Sequence, residues 1–278
     1  MAAKPKKGAA TPGDPPAGRP LAFEERGPAG APPLLLLHGF LGSRRDWDPV
    51  AAALAGSRRC IAVDLPGHGE TGAPADEGLW TPAGCVEALA ALLKERGGGA
   101  VAGYSLGGRL ALQLAAEHPK TVTRAVIVSA TPGISGECGR GQRRAMDEGA
   151  ARRLEGGGLD AFLKEWYEMA LFAPLREHAR FPQVLERRRR NDPRLLARSL
   201  RQMGAGAQPP QWDALPALRV PLLFLVGERD QKFTDIAFDA VARCPNAEAV
   251  VVRGRGHALV EEAPERVAQE IAGFLAAG

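Results

Sequence analysis

The sequence predicts an α/β protein: a mostly parallel sheet flanked by helices, with a helical lid inserted past its middle. Three observations carry that reading. Short apolar runs bounded by Gly, Pro or Asp alternate with stretches of helical composition, as strands buried on both faces alternate with crossover helices. The alternation stops between residues 133 and 215, where amphipathic stretches follow one another without a strand. Finally, Gly103-Tyr104-Ser105-Leu106-Gly107 joins an apolar run directly to a helical stretch.

Taken in order, residues 1–20 are rich in Pro, Gly, Ala and Lys and read as a disordered basic extension. The first part of the core, residues 21–132, holds predicted strands at 34–37 (four consecutive leucines), 60–65, 100–103 and 125–129. Helical composition and spacing mark 50–54, 82–96 and 110–118 between them. Residues 133–215 form the predicted lid. The second part of the core, residues 216–278, adds strands at 221–226 and 249–252 and helices at 236–242 and 264–276. No internal repeat is present.

Composition bounds the function. The chain has 278 residues, 45% of them apolar, enough for one enzyme domain with an insertion. No apolar run approaches the roughly 20 residues that span a bilayer. Met-Ala-Ala-Lys-Pro-Lys-Lys is not followed by the apolar segment of a secretory signal. The four cysteines, Cys60, Cys85, Cys138 and Cys244, lie far apart, which suggests neither zinc nor a disulfide framework and points to a reducing compartment. A cytoplasmic location follows, with a plastid left open. The net charge of +4 is concentrated in the extension and the lid. Arg187 to Arg190 read largely as a solvated helix face, because no nucleic-acid module accompanies them. No phosphate-cradling loop or metal-ligand spacing occurs, so neither cofactor nor metal is expected.

The Gly-x-Ser-x-Gly segment is a nucleophile elbow: a turn so tight that glycines must flank the serine, which is held out at the top of the sheet. A serine hydroxyl is a weak nucleophile and base until a histidine accepts its proton and a carboxylate orients that histidine. On the α/β-hydrolase fold the chain order is Ser, then Asp or Glu, then His. Asp230 and His257 complete that order after Ser105, each just past a predicted strand, where ligands of open parallel sheets bind. Glu228 is the rival to Asp230. The loop His38-Gly39-Phe40-Leu41-Gly42 follows the first core strand, so the backbone amides of Phe40 and Leu106 are the expected oxyanion donors. His38 reads as ordering that loop, His68 as a turn residue, His118 as a helix end and His178 as lid surface. Arg109 lies one helical turn beyond Ser105 and can face the same cavity. It would there bind a carboxylate, or else pair with an acid on a neighbouring helix.

Several segments carry a resemblance. Gly103-Tyr104-Ser105-Leu106-Gly107-Gly108-Arg109, Asp64-Leu65-Pro66-Gly67-His68-Gly69, Trp166-Tyr167 with Phe172-Ala173, and Gly227-Glu228-Arg229-Asp230-Gln231-Lys232-Phe233 together resemble the 2-succinyl-6-hydroxy-2,4-cyclohexadiene-1-carboxylate synthases of menaquinone and phylloquinone biosynthesis. The arginine after the elbow and the Gly-Glu-Arg-Asp-x-Lys-Phe segment are the more specific parts. The resemblance implies a lyase that eliminates pyruvate from a polycarboxylate small molecule, with Ser105, His257 and Asp230 as the base. Arg109, Arg143 and Arg187 fall at its substrate-binding arginines, with Arg140, Arg144 and Arg188 close enough to exchange with them. Tyr104 and Trp166 fall at pocket positions, Trp166 also reading as a lid-core aromatic. Other menaquinone-pathway enzymes are the implied partners, and oligomeric state is left open. Val260 departs from the pattern, standing where the family commonly has a second histidine, and the extension lies outside the family core. A serine hydrolase of ester or carbon–carbon bonds would use the same triad, and a non-catalytic binding protein would keep the fold. A dehalogenase is excluded, since it needs aspartate at position 105.

Overall fold

The computed structural model describes residues 20–277, so the predicted extension, apart from Pro20, lies outside the described residues. Seven strands form one sheet: β1 (Phe23–Arg26), β2 (Pro33–Leu37), β3 (Arg59–Val63), β4 (Gly99–Tyr104), β5 (Val122–Val128), β6 (Leu222–Gly227) and β7 (Ala247–Val252), in the order β1-β3-β2-β4-β5-β6-β7. Every pairing is parallel except β1 with β3, where Phe23 faces Val63. The sequence reading missed β1. Its Phe-Glu-Glu-Arg is half-buried and highly charged, as suits an edge strand, and Glu25 is held by Arg59 and Arg96 at 2.5 and 2.7 Å.

Alternation along the central strands feeds two cores. Leu35, Leu37, Ile61, Val101, Ile127 and Phe224 pack on one face, against α2 (Pro82–Lys94), α3 (Leu106–Glu117) and α9 (Gln231–Val241). Leu34, Leu36, Ala102, Val126 and Leu225 pack on the other, against α1 (Asp48–Leu54) and α11 (Pro264–Ala276). Helix starts are locally encoded. Thr81 accepts from Gly84 N at 3.1 Å and Pro82 occupies the first turn of α2.

Between β5 and β6 the chain runs through α4 (Glu137–Gly157), α5 (Leu159–Glu168), α6 (Ala173–Arg176), α7 (Phe181–Arg188) and α8 (Pro193–Met203) with no strand. Asp192 caps α8 through Arg194 N at 2.8 Å. Ala150 and Leu154 of α4 meet Leu196 and Leu200 of α8 in the same core as Leu34. The helices therefore share the apolar interior above the strand ends. A last single turn, α10 (Leu259–Glu262), precedes α11, and Val260 within it is buried among aliphatic neighbours. No helix among the described residues is long and apolar enough to cross a membrane.

The β4–α3 turn leaves no room for side chains at its glycines. A Cβ on Gly107 would lie 2.3 Å from Leu37 O, and one on Gly103 would lie 2.1 Å from Gly107 O. Gly30, by contrast, has open space around it. Gly107→Ala is therefore expected to lose about 2–3 kcal/mol of stability in urea unfolding, while Gly30→Ala stays within about 0.5 kcal/mol of the parent.

Candidate active site

Ser105 takes φ +52° and ψ −106° between β4 and α3, a left-handed conformation that a non-glycine residue keeps only where its surroundings enforce it. They do so here through Val128 O, which accepts from Ser105 N at 2.9 Å, and His38 O, which accepts from Gly107 N at 3.1 Å. The second bond ties the elbow to the loop after β2.

Past β6, Asp230 stands at the start of α9, and past β7 a loop carries His257. The structure brings the three residues together. His257 Nδ1 donates to Asp230 Oδ2 at 2.7 Å, and His257 Nε2 lies 3.4 Å from Ser105 Oγ. Both His257 and Asp230 are buried. The longer Ser–His separation suits a site that tightens on substrate. Phe233, Tyr104 and Phe172 pack their rings around the imidazole at 4.6, 5.5 and 5.9 Å. Glu228, the rival carboxylate, is exposed and accepts from Gly254 N instead.

Both loop histidines are neutral struts. His38 accepts from Leu65 N at 3.0 Å through Nε2 and donates to Gly39 O through Nδ1, fixing its tautomer. Burial pushes its pKa down. His68 accepts from Leu41 N at 3.2 Å, and burial, with His38 adding to it, pushes its pKa down to about 3. Together they hold the segment around Phe40 against the end of β3. Phe40 and Leu106 both border a cavity beside Ser105, and Leu106 N belongs to the first turn of α3, whose N–H groups have no intrahelical acceptor.

That cavity has a volume of about 450 Å³ and lies between Ser105, His257 and the inserted helices. Phe40 and Phe162 pack against Trp166 at 5.2 and 5.5 Å, making an aromatic wall. Trp166 is thus both a cavity residue and part of the lid packing. Four cationic side chains border the space: Arg109, Arg143, Arg153 and Lys232. Arg143 is bound to Asp147 at 2.9 Å and Arg153 to Glu165 at 3.2 Å. Arg109 is buried, yet its bonds run to the neutral oxygens of Gln208 and Met203. Burial, with Arg143 nearby, pushes its pKa down to about 9. Among the described residues no carboxylate lies within ion-pair distance of it: Asp147 of α4 borders the same cavity and favours its charge through space, but is bonded to Arg143.

A smaller recess of about 30 Å³ opens beside Ser105 and Tyr104. Here the arginine register changes. Arg187 borders neither space: it reaches Glu261 at 2.5 Å and Asp46 at 3.5 Å. Arg188 lines the recess, bonded to Asp46 at 2.7 Å, Glu261 at 3.1 Å and Tyr167 Oη at 3.3 Å. Of the two neighbours that the sequence left interchangeable, Arg188 is the one that lines the recess, because the last turn of α7 directs it inward. Within the run Arg187 to Arg190, Arg189 and Arg190 are exposed and Arg187 is half-buried, so Arg188 alone departs from the expected solvated face. Burial opposes its charge, but Asp46, Tyr167 and Glu261 hold its pKa well above the arginine value.

Lys232, Gln208 and Glu261 were not singled out from the sequence. Lys232 had a signal, lying within the quoted Gly-Glu-Arg-Asp-x-Lys-Phe segment, whereas Gln208 and Glu261 carry no motif. Among the described residues, one group has metal-ligand spacing: Glu87, Glu117 and His118 on the surface. None of the three borders the cavity, and His118 is satisfied by Glu87 at 3.1 Å.

A sheet of this order, an inserted helical layer and a buried Ser-His-Asp array at the strand ends define a class. The chain belongs to the alpha/beta hydrolase family, whose model matches residues 34–270. Within it, the chain belongs to the 2-succinyl-6-hydroxy-2,4-cyclohexadiene-1-carboxylate synthases. It is 33% identical to a putative enzyme of that name from Bacillus subtilis (strain 168), over 91% of this chain and 94% of that one. MenH from S. aureus superposes with a TM-score of 0.87 at 29% identity, covering 91% of this chain and 97% of that one. Protein PHYLLO, chloroplastic, of Arabidopsis thaliana is 32% identical over 87% of this chain, which spans only 15% of that protein.

The buried neutral histidines make stability acid-sensitive. An unfolded histidine takes up a proton near pH 6.5, whereas buried His68 does so only near pH 3. Acid therefore binds the unfolded chain first, and stability falls as pH drops from about 6.5 toward 3, by up to about 1.4 kcal/mol per pH unit for each such group. Urea midpoints measured between pH 7 and pH 5 should decline, and His68→Gln, which keeps an acceptor for Leu41 N but cannot titrate, should flatten the slope.

Proposed function

We propose that the protein removes pyruvate from 2-succinyl-5-enolpyruvyl-6-hydroxy-3-cyclohexene-1-carboxylate, giving 2-succinyl-6-hydroxy-2,4-cyclohexadiene-1-carboxylate. The observation that carries this is buried Arg109, a cation bonded only to neutral oxygens in a cavity that also contains Ser105 and His257. A substrate with several carboxylates supplies the missing counter-charge, and a guanidinium holds such a group by paired hydrogen bonds. Arg143, Arg188 and Lys232 provide further cationic contacts around the ring, and Trp166 and Tyr104 provide apolar walls.

In this reading Ser105 is the base. As its oxygen takes the ring proton, its own proton passes to His257 Nε2, and Asp230 stabilises the imidazolium through Nδ1. The electron pair of the broken C–H bond forms the new ring double bond, the existing double bond shifts, and the ring-carbon to enolpyruvyl-oxygen bond breaks. The leaving group departs as the enolate of pyruvate. The Phe40 and Leu106 amides hold the negative oxygen that develops on the succinyl side. His257 gives its proton to the departing enolate, which becomes pyruvate, so the triad is restored with the former ring proton on Ser105. We place this chemistry in a reducing compartment, cytoplasmic or plastid, a reading supported by the wide spacing of the four cysteines and by relatives from a bacterium and a chloroplast.

A serine hydrolase would use the same triad but would give Arg109 no task. Pyruvate release and neutral nitrophenyl ester cleavage, measured side by side, separate the two. The lyase reading expects pyruvate release well above the spontaneous rate, a loss of about 10²–10⁴-fold in Ser105→Ala, and about 10–100-fold lower kcat/KM in Arg109→Ala. Brisk ester cleavage without pyruvate would overturn it.

A further inference from the structure

Behind the histidine loop lies a carboxylate that the elimination chemistry does not use. Glu262, buried at 3% exposure, accepts from Gly256 N at 2.6 Å through Oε2 and from Ala258 N at 3.1 Å through Oε1. The two donors flank His257. Among the described residues Glu262 has no ion-pair partner, so these peptide N–H groups are what its two oxygens are matched to.

The surroundings leave little slack. A Cβ on Gly256 would lie 2.6 Å from Pro174, and one on Gly227 would lie 2.2 Å from Gly256 O. On its other side, α10 is anchored through the neighbouring Glu261, which holds Arg187 and Arg188 of α7. The turn carrying Glu262 is thereby fixed to the inserted helices, and its carboxylate reaches back to set the two peptide planes on either side of the imidazole.

We propose that Glu262 is a positioning residue for His257, its two oxygens fixing the loop so that the imidazole projects between Asp230 and Ser105. The chemistry requires a carboxylate. Both groups facing it are donors, and glutamine offers one acceptor and one amide donor, so Glu262→Gln leaves one N–H opposed by another. A loop error of about 1 Å near reacting groups costs on the order of 10²-fold in rate, and the Ser105–His257 separation is already 3.4 Å.

The proposal rests on the triad assignment above, so its test reads geometry without substrate as well as rate. The Nδ1 proton of His257, bonded to Asp230, gives a downfield proton NMR resonance, identified by its loss in His257→Ala. In Glu262→Gln that resonance is expected to shift or be lost to exchange, and kcat for pyruvate release to fall about 10- to 100-fold, with KM within about two-fold because the cavity cations are untouched. Glu262→Asp, which keeps both oxygens but shortens their reach, should show an intermediate resonance shift and carries the test if the glutamine variant does not fold. A parent-like resonance in a folded variant overturns the proposal, whether or not kcat falls, since a fall alone would reflect general destabilisation. A wild-type chain that shows the resonance but releases no pyruvate would instead overturn the elimination reading.

Discussion

The turn at Ser105 is the constraint on which the rest of the structure depends. A non-glycine residue at φ +52° is held in a strained conformation, a cost on the order of 1–3 kcal/mol. It is maintained because β4, β5 and the His38 loop converge on it and because Gly103, Gly107 and Gly108 allow backbones to approach within contact. From that point the strand ends dictate everything else. The first turn of α3 brings Leu106 and Arg109 to one space, the loop after β7 brings His257 to the same space, and Asp230 after β6 holds His257 from behind.

Charge accounting explains the layer above. Most lid arginines are matched to carboxylates, as Arg201 is to Glu148 and Glu155, or Arg143 to Asp147. Under the recess, Arg187 and Arg188 meet Asp46 and Glu261, so opposite charges are balanced where burial is greatest. Burial, with Asp46 adding to it, raises the pKa of Glu261, while burial alone opposes the charge of Asp46 and Arg188 overcomes it. Removing one member would leave another buried and unpaired, which is costly. Among the buried arginines described, Arg44 and Arg188 each contact carboxylates, whereas Arg109 is bonded to neutral oxygens.

The fold was legible because its signals are local. Four leucines, a Gly-flanked serine and short apolar runs each state a strand or turn without reference to distant residues, and the Ser, Asp, His order followed from the elbow. β1 was not legible, because a charged edge strand lacks apolar alternation. The inward choice between Arg187 and Arg188 depends on the rotation of α7 over the core, which spacing counted across several lid helices does not fix. Glu262 and Gln208 left no trace in the sequence, since their roles arise from partners that the fold alone brings near: backbone N–H groups for one, Arg109 for the other.

The central claim is that Ser105 works as a base and not as a covalent nucleophile. Rapid-quench intact-mass measurement through a single turnover with the enolpyruvyl substrate tests it directly. The account predicts that the protein stays at its unmodified mass while pyruvate appears. A transient mass increase that maps to Ser105 and decays as pyruvate is released would contradict it.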